Sequence, residues 1–196
     1  ILEEIEINPR LPIYVGIDFG LTPAAVFGQE TPSGRWLIFD ELVTDDMGAK
    51  RFGALLNRHI NRDYSGCTMH IYGDPAGDFR AQTDEITPYQ ILSAEGNDAC
   101  PTYTNDVVVR LEAVASTLSR MDFSGNPAFL IGPKAPMCRK ALSGGYKYKR
   151  MAVAGQERFN DKPDKGRYSH VADALQYLML GAGEGGKVIS MPGWGD

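Results

Sequence analysis

The sequence has no long apolar run and few cysteines. None of its apolar stretches reaches the roughly 18 residues that a membrane span requires, so we expect no contact with a membrane. The three cysteines, Cys67, Cys100 and Cys138, are odd in number and lie far apart in the chain. This spacing excludes a zinc knuckle and a CxxC redox pair, and it predicts buried free thiols in a reducing compartment.

The chain also lacks a GxxxxGK phosphate-binding loop and a signal peptide. Its first residues, ILEEIEINPRLP, are too acidic for a signal peptide and have the composition of a linker. We therefore expect residues 1–12 to be a linker from an upstream domain and residues 13–183 to form one folded domain. Residues 184–196 are rich in glycine and are expected to be a flexible tail.

The excess of positive charge that is common in DNA-binding proteins is missing from the whole chain but present in one segment. The formal net charge is −5. From Lys134 to Arg167, ten Lys and Arg residues accompany only three acids, so this segment carries +7 and the rest of the chain −12. A basic segment in an acidic chain indicates a patch for a polyanion, although a solvated basic loop has the same composition.

Hydrophobic periodicity predicts a three-stranded antiparallel meander followed by alternating helices and strands. The meander strands are expected at 13–20, 24–29 and 35–43, a fourth strand at 68–74, a fifth at 89–94, a sixth at 128–131, and a hairpin at 146–159. Helices are expected at 48–62, after Asn105 as N-cap, around Arg139, and at 168–180 with Ser169 as cap. The helix after Asn105 has an apolar stripe, Val108, Leu111, Val114, Ala115 and Leu118. This order predicts an α/β fold with a mixed sheet and helices on both faces.

Two aspartates stand at the ends of predicted strands. Alternation places Asp18 on the same face of the first strand as Tyr14 and Gly16, and Asp74 on the same face of the fourth strand as Tyr72. If these strands are neighbours, about 4.8 Å apart, the two carboxylates are close enough to share a cation, which would offset their repulsion. The alternative is structural, a strand end for Asp18 and an Asx turn for Asp74.

A third aspartate lies in the last predicted helix. Asp173 is opposite the apolar stripe formed by Val171, Leu175 and Leu178, so it is not a core residue. It faces either a cleft or bulk solvent, where it would interact with the helix dipole.

The motifs GIDFG, YGDPAG and YSHVADALQYL, in this order and on these elements, resemble the nuclease domain of phage terminase large subunits. The resemblance covers roughly Ile13 to Gly183. It implies a ribonuclease H-like fold whose carboxylates, here the catalytic and metal-binding residues Asp18, Asp74 and Asp173, hold two Mg²⁺ or Mn²⁺ ions. It further implies an endonuclease that cuts double-stranded concatemers of viral DNA in the host cell cytoplasm while the genome is packaged.

The same resemblance implies several partners. These are double-stranded DNA, an ATPase domain upstream in the full protein, the portal protein and the small terminase subunit. The 146–159 hairpin matches the place of a family element that contacts DNA, and the basic segment surrounds it. The residues expected to bind DNA are Lys147, Lys149, Arg150, Arg158, Arg139 and Lys140.

The sequence departs from the family pattern in two ways: the first indicates the nuclease part alone, and the second leaves the ligand set incomplete. The ATPase loop is missing, and the helix expected at 48–62 contains no acid where ribonuclease H enzymes have a glutamate. Glu41 is the nearest substitute, although it would lie two strands away from Asp18. Asp78 and His170 are better placed for a second ion or a proton transfer.

Three other functions share parts of the pattern. A junction resolvase or another nuclease of the same fold would carry a similar acidic cluster, and a degenerate module could bind DNA or a portal without cutting. GIDFG also resembles the first phosphate motif of actin-like kinases and chaperone ATPases, but the second glycine-rich phosphate motif of that class is missing.

Overall fold

Eight strands and five α-helices lie in the part of the chain that the structure, a computed structural model, describes. This part comprises residues 4–20, 22–78, 86–151, 158–163 and 165–185, with the backbone alone at 78, 149–151 and 158–163. The strands are β1 (Ile13–Asp18), β2 (Ala24–Glu30), β3 (Trp36–Val43), β4 (Met69–Gly73), β5 (Ala99–Pro101), β6 (Phe129–Ile131), β7 (Tyr148–Met151) and β8 (Arg158–Pro163). The helices are α1 (Ala49–Asp63), α2 (Pro88–Ala94), α3 (Val107–Leu118), α4 (Pro136–Lys140) and α5 (Ser169–Gly181).

Six of the strands form one mixed sheet in the order β5-β4-β1-β2-β3-β6. The strands β1, β2 and β3 make the predicted antiparallel meander. β4 is parallel to β1, β5 to β4, and β6 to β3. The predicted fold class is confirmed, and the parallel pairing brings the carboxyl ends of β1 and β4 side by side.

Alternation along β1 sends its side chains into two separate cores. Ile13, Val15 and Ile17 are fully buried in the core that α1 and α2 cover. On the other face, a Cβ on Gly16 would lie 1.9 Å from the carbonyl oxygen of Ala174 in α5. The backbones of β1 and α5 are therefore in direct contact, which places the start of α5 beside Asp18 at the end of β1.

The segments before β1 and after α5 pack on the domain. The side chain of Gln29 accepts a hydrogen bond from the Asn8 amide and donates to the carbonyl of Asn8. Glu184, which the sequence suggested to be in a flexible tail, is 1% exposed and accepts a hydrogen bond from Trp36 Nε1. The folded unit therefore extends to Gly185, and residues 186–196 lie outside the described residues.

The strand predicted at 89–94 is wrong, because these residues form α2. Thr87 caps the helix by accepting a hydrogen bond from the Gln90 amide, and the Gln90 side chain accepts one from the Thr87 amide. Pro88 occupies the first helical turn. Such a capping box satisfies free amide groups at a helix start, which favours a helix over a strand.

Three details of the predicted helices are also corrected. Asp106, not Asn105, caps α3 by accepting hydrogen bonds from the Val108 and Val109 amides. Ser169 does not cap α5, since its hydroxyl donates to the Gly166 carbonyl. The predicted stripe on α3 is confirmed only in part, because Val114 is buried in the core but Val108 and Leu118 are exposed.

Among the described residues, no helix has the length and apolar character to cross a membrane. The predicted free thiols are confirmed, but only Cys138 is buried, while Cys67 is half-buried and Cys100 exposed. The predicted hairpin is present as the pair β7 and β8, and residues 152–157 between them lie outside the described residues.

Candidate functional site

A cavity of about 630 Å³ opens where the carboxyl ends of β1 and β4 meet the first turns of α3 and α5. Asp18 ends β1, Asp74 directly follows β4, and Asp173 lies in the second turn of α5. All three aspartates line this cavity. The structure thus brings together Asp18 and Asp74, which the strand pattern placed on one face, and adds Asp173 from α5, for which the helical pattern left a cleft or bulk solvent open.

Asp18 is the most buried of the three carboxylates, with 7% of its surface exposed. Its Oδ2 lies 2.7 Å from Nδ1 of His170. Burial and the charges of Asp173 and Asp74 raise the pKa of Asp18 to about 6, although the hydrogen bond from His170 lowers it. The cavity therefore concentrates negative charge that a bound cation would stabilise.

Asp74 is held by the turn that ends β4. Its Oδ1 accepts a hydrogen bond from the Ala76 amide at 2.8 Å, which is the Asx turn expected before Pro75. The pKa of the neighbouring Tyr177 hydroxyl is raised by burial and by the charges of Asp74 and Asp18, while Arg110 lowers it. The turn explains the direction of the Asp74 side chain without excluding a chemical role.

Asp173 is held by two side chains that the sequence analysis missed. Nη1 of Arg110 lies 3.1 Å from Asp173 Oδ1, and the Tyr146 hydroxyl donates to the same oxygen at 3.2 Å. Arg110 is buried on the face of α3 that includes Ala113 and Thr117. The helical pattern does not mark Arg110 as buried, because its charge is offset only by a partner from another helix.

The weaker candidates are placed differently from one another. His170 lines the cavity beside Asp18. Glu41 does not reach it, because its carboxylate accepts hydrogen bonds from the Met137 and Cys138 amides at the start of α4. Asp78 ends a 3-10 turn shortly after Asp74, and its side chain lies outside the described residues.

The candidate DNA-binding residues lie on three elements and beside one of them. Arg139 and Lys140 end α4, Lys147 directly precedes β7, Lys149 and Arg150 lie on β7, and Arg158 begins β8. Lys147 and Lys140 are exposed, and Arg139 is half-buried. For Lys149, Arg150 and Arg158, only the strand positions are described. Lys165, a further residue of the basic segment, is exposed and lines the acidic cavity.

A second group with metal-ligand chemistry lies on the opposite face of the sheet. Ligand atoms of Asp40, His59 and Asp63 lie within 4.8 Å of one another, so this group could hold a metal ion. Each member already has protein partners: His59 bridges the two carboxylates, and Asp40 also accepts a hydrogen bond from Tyr64. Both oxygens of Asp40 and both oxygens of Asp63 accept protein hydrogen bonds, so this group is a satisfied network between α1 and β3. In the cavity around Asp18, by contrast, Oδ1 of Asp18 and Oδ2 of Asp173 have no hydrogen-bond partner among the described residues.

No family model and no curated protein matches the sequence. Solved structures do match the fold. The large terminase of the thermophilic bacteriophage D6E superposes with a TM-score of 0.63 and 18% identity, over 89% of this chain and 40% of that one. The nuclease domain of the P22 large terminase has a TM-score of 0.64 and 12% identity, over 91% of this chain and 84% of that domain.

A third similar structure was solved with metal. It is the nuclease domain of the bacteriophage SPP1 large terminase with bound Mn, with a TM-score of 0.57 and 18% identity, over 90% of this chain and 92% of that domain. At such identities the likeness concerns the fold. The chain spans less than half of the D6E protein, but most of each isolated nuclease domain.

Proposed function

We propose that this chain, which has the fold of the phage large terminase nuclease domains, is a metal-dependent endonuclease that cuts double-stranded viral DNA during genome packaging. The observation that carries the proposal is the convergence of Asp18, Asp74 and Asp173 in one cavity at the ends of two parallel strands. Carboxylates that share a cavity repel one another, so a cluster of this kind is typical of a functional site and not of a stabilising one.

The donor set fits divalent metal ions. Mg²⁺ and Mn²⁺ prefer carboxylate oxygens and water, and the three aspartates provide such oxygens. Oδ1 of Asp18 and Oδ2 of Asp173 have no hydrogen-bond partner among the described residues. We propose two such ions here, which when bound would activate a water molecule and neutralise charge on the scissile phosphate.

The role of His170 follows from its contact with Asp18. An ionised carboxylate only accepts hydrogen bonds, so Nδ1 of His170 carries the proton that it donates to Oδ2. In the neutral ring Nε2 is then an acceptor. Since His170 lines the cavity, Nε2 could accept a proton from a water molecule there, and Nδ1 keeps the Asp18 carboxylate in place.

Duplex DNA would approach the cavity along the basic segment. Lys165 lies at the cavity, and Lys147 is exposed just before β7. Because the rest of the chain is acidic, these residues and their neighbours in the segment would position the phosphate backbone without reading its sequence. Phosphates held in this way would lie close to the three aspartates.

The wider context is also a proposal. The chain matches 40% of the D6E large terminase, a protein that was solved with ADP and with ATP-gamma-S. We propose that this domain likewise acts with an ATPase domain, and that the portal protein and the small terminase subunit bring it to DNA in the host cytoplasm.

Plasmid cleavage tests the proposed function. Supercoiled plasmid should be nicked and linearised with Mn²⁺ or Mg²⁺ and stay intact in EDTA, and a four-way junction should not be preferred over plain duplex. Asp74→Asn should lose at least a hundredfold in rate, since the amide retains the turn but is a poorer metal ligand.

Asp122→Asn is the matched control. Asp122 makes the same kind of turn by accepting a hydrogen bond from the Ser124 amide at 2.9 Å, but it does not line the cavity. Its variant should cut like the parent. Intact plasmid at high protein concentration with both metals, or equal activity of the Asp74 variant, would refute the proposed role of the cavity.

A further inference from the structure

Two arginine–carboxylate pairs connect the region of α3 with the region of α5. The first joins the two helices, and the second joins residues that follow shortly after each of them. Near the start of α3, Nη1 of Arg110 lies 3.1 Å from Oδ1 of Asp173. Two residues after the end of α3, Arg120 makes a two-point pair with Glu184, at 2.7 and 2.9 Å. The pairs are similar chemically, but only the first includes a residue of the acidic cavity.

Arg110 is fixed on several sides. It is 8% exposed, and its Nε donates to the carbonyl of Asn105 at 3.3 Å. Its guanidinium lies 4.7 Å from the centre of the Tyr177 ring, a cation–π contact. A planar guanidinium held by a backbone carbonyl and an aromatic ring has little freedom to turn. The cation is thus a rigid support for the carboxylate that it contacts.

The support acts on one oxygen of Asp173 only. Arg110 and the Tyr146 hydroxyl both donate to Oδ1, while Oδ2 has no partner among the described residues. A carboxylate held by one oxygen presents the other in a defined direction. Partners behind a metal ligand commonly orient it in this way.

We propose that Arg110 is a positioning residue, which holds Asp173 so that its free oxygen points to the metal ions. The inference rests on the proposed nuclease function and adds a residue from α3 to that site. The positive charge of Arg110 would also repel a nearby cation. Positioning dominates, because that charge is already balanced by Asp173 and because a carboxylate without fixed partners would lose its defined orientation towards an ion.

Variants at the two arginines separate positioning from simple attachment of α3. Arg110→Met keeps a long side chain but removes the charge and the donors, Arg110→Lys keeps the charge, and Arg120→Met breaks the equivalent pair outside the cavity. Mn²⁺ binding is titrated by calorimetry without DNA, and melting temperatures are measured in EDTA. Cleavage is then followed as a function of Mn²⁺ concentration.

We expect Arg110→Met to bind Mn²⁺ about 10- to 100-fold more weakly than the parent, as is usual when the partner of a metal ligand is removed. Arg110→Lys should lose less. Arg120→Met should melt at a lower temperature yet bind Mn²⁺ within about twofold of the parent, because its pair is remote from the cavity.

Other outcomes would overturn the inference. Unchanged Mn²⁺ affinity in Arg110→Met would make Arg110 a purely structural residue, and tighter binding would mean that charge repulsion dominates. An equal loss in Arg120→Met would assign the effect to the packing of α3. A parent chain that binds no Mn²⁺ would overturn the nuclease proposal together with this inference. If the parent binds Mn²⁺ and cuts DNA, an unexpected result with the Arg110 variants overturns only the positioning role of Arg110.

Discussion

Replacing Asp18 by asparagine should stabilise the metal-free protein while it removes a metal ligand. Asparagine has nearly the shape of a protonated aspartate, and its amide oxygen can still accept the hydrogen bond from His170. What the substitution removes is the negative charge that Asp18 carries beside Asp173 and Asp74. The free energy of unfolding should therefore rise, although activity is lost.

The size of the effect follows from the pKa of Asp18, which burial and the neighbouring carboxylates raise from 3.8 to about 6. Asp18 keeps its proton to a higher pH in the folded state than in the unfolded state. Its contribution to the free energy of unfolding is therefore fully present below pH 3.8 and is lost as pH rises through about 6. About two pKa units correspond to about 3 kcal/mol. The variant should therefore gain about 1 kcal/mol at pH 4.5 and about 3 kcal/mol at pH 8 relative to the parent.

Urea unfolding in EDTA at these two pH values measures the effect, and at pH 8 the melting temperature should rise by about 6–12 °C. Asp122→Asn is a control with the opposite sign. The pKa of Asp122 is lowered by hydrogen bonds from backbone amides, chiefly that of Asn126, so its charge stabilises the fold above its usual pKa. Its asparagine variant should become less stable relative to the parent as pH rises.

Two results would refute the reasoning. If Asp18→Asn were less stable than the parent at pH 8, the hydrogen bond from His170 to the ionised carboxylate would outweigh burial and repulsion. If the difference did not depend on pH, the charge of Asp18 would not be its cause. Either result would also weaken the argument that the cavity is built for a cation.

Three further predictions concern pH, DNA and packing. At a Mn²⁺ concentration below saturation, cleavage by the parent should fall as pH drops below about 6, because protons then compete with the ion for Asp18. A rate that is constant from pH 5 to 8 at this concentration would contradict the prediction. The double variant Lys147→Glu and Lys149→Glu should bind duplex DNA more weakly, with Mn²⁺ affinity unchanged. The slope of log affinity against log salt should become shallower by about 0.9 for each lost phosphate contact. Duplex binding like that of the parent would place the duplex elsewhere on the domain. Gly16→Ala should lower the free energy of unfolding in urea by about 3 kcal/mol, since its Cβ would lie 1.9 Å from a carbonyl oxygen of α5. A Cβ on Gly166 would have nothing within 4 Å, so Gly166→Ala should change the free energy of unfolding by less than about 0.5 kcal/mol. Equal costs at both glycines would show that α5 can move away from β1.

The two strand aspartates could be predicted because their position depends on alternation within each strand. The buried side chains Ile13, Val15 and Ile17 fix one face of β1, so Asp18 must lie on the other. The same alternation along β4, with Ile71 in the core, places Asp74. Parallel pairing of the two strands then brings the carboxylates together.

Predictions failed where a local signal was overlooked or where packing overrode a pattern. The capping box of Thr87 and Gln90 was visible in the sequence, but the short apolar run after it resembled a strand. On α3, the apolar residues Val108 and Leu118 suggested one buried face, whereas the face with Arg110 is the one that packs on α5. Helical periodicity could not distinguish them, because the charge of Arg110 is offset only by a partner from another helix.

By itself, the sequence determined the meander, the mixed sheet, the basic segment and the three aspartates, because these depend on periodicity and composition within short stretches of chain. Only the tertiary structure decided which polar residues become partners. Arg110 and Asp173 are 63 residues apart, and Glu41 binds amides of α4 that are more than 90 residues away. Such pairs form when helices and sheet pack and exclude water, since a charge that loses its hydration must then find a partner within hydrogen-bond distance.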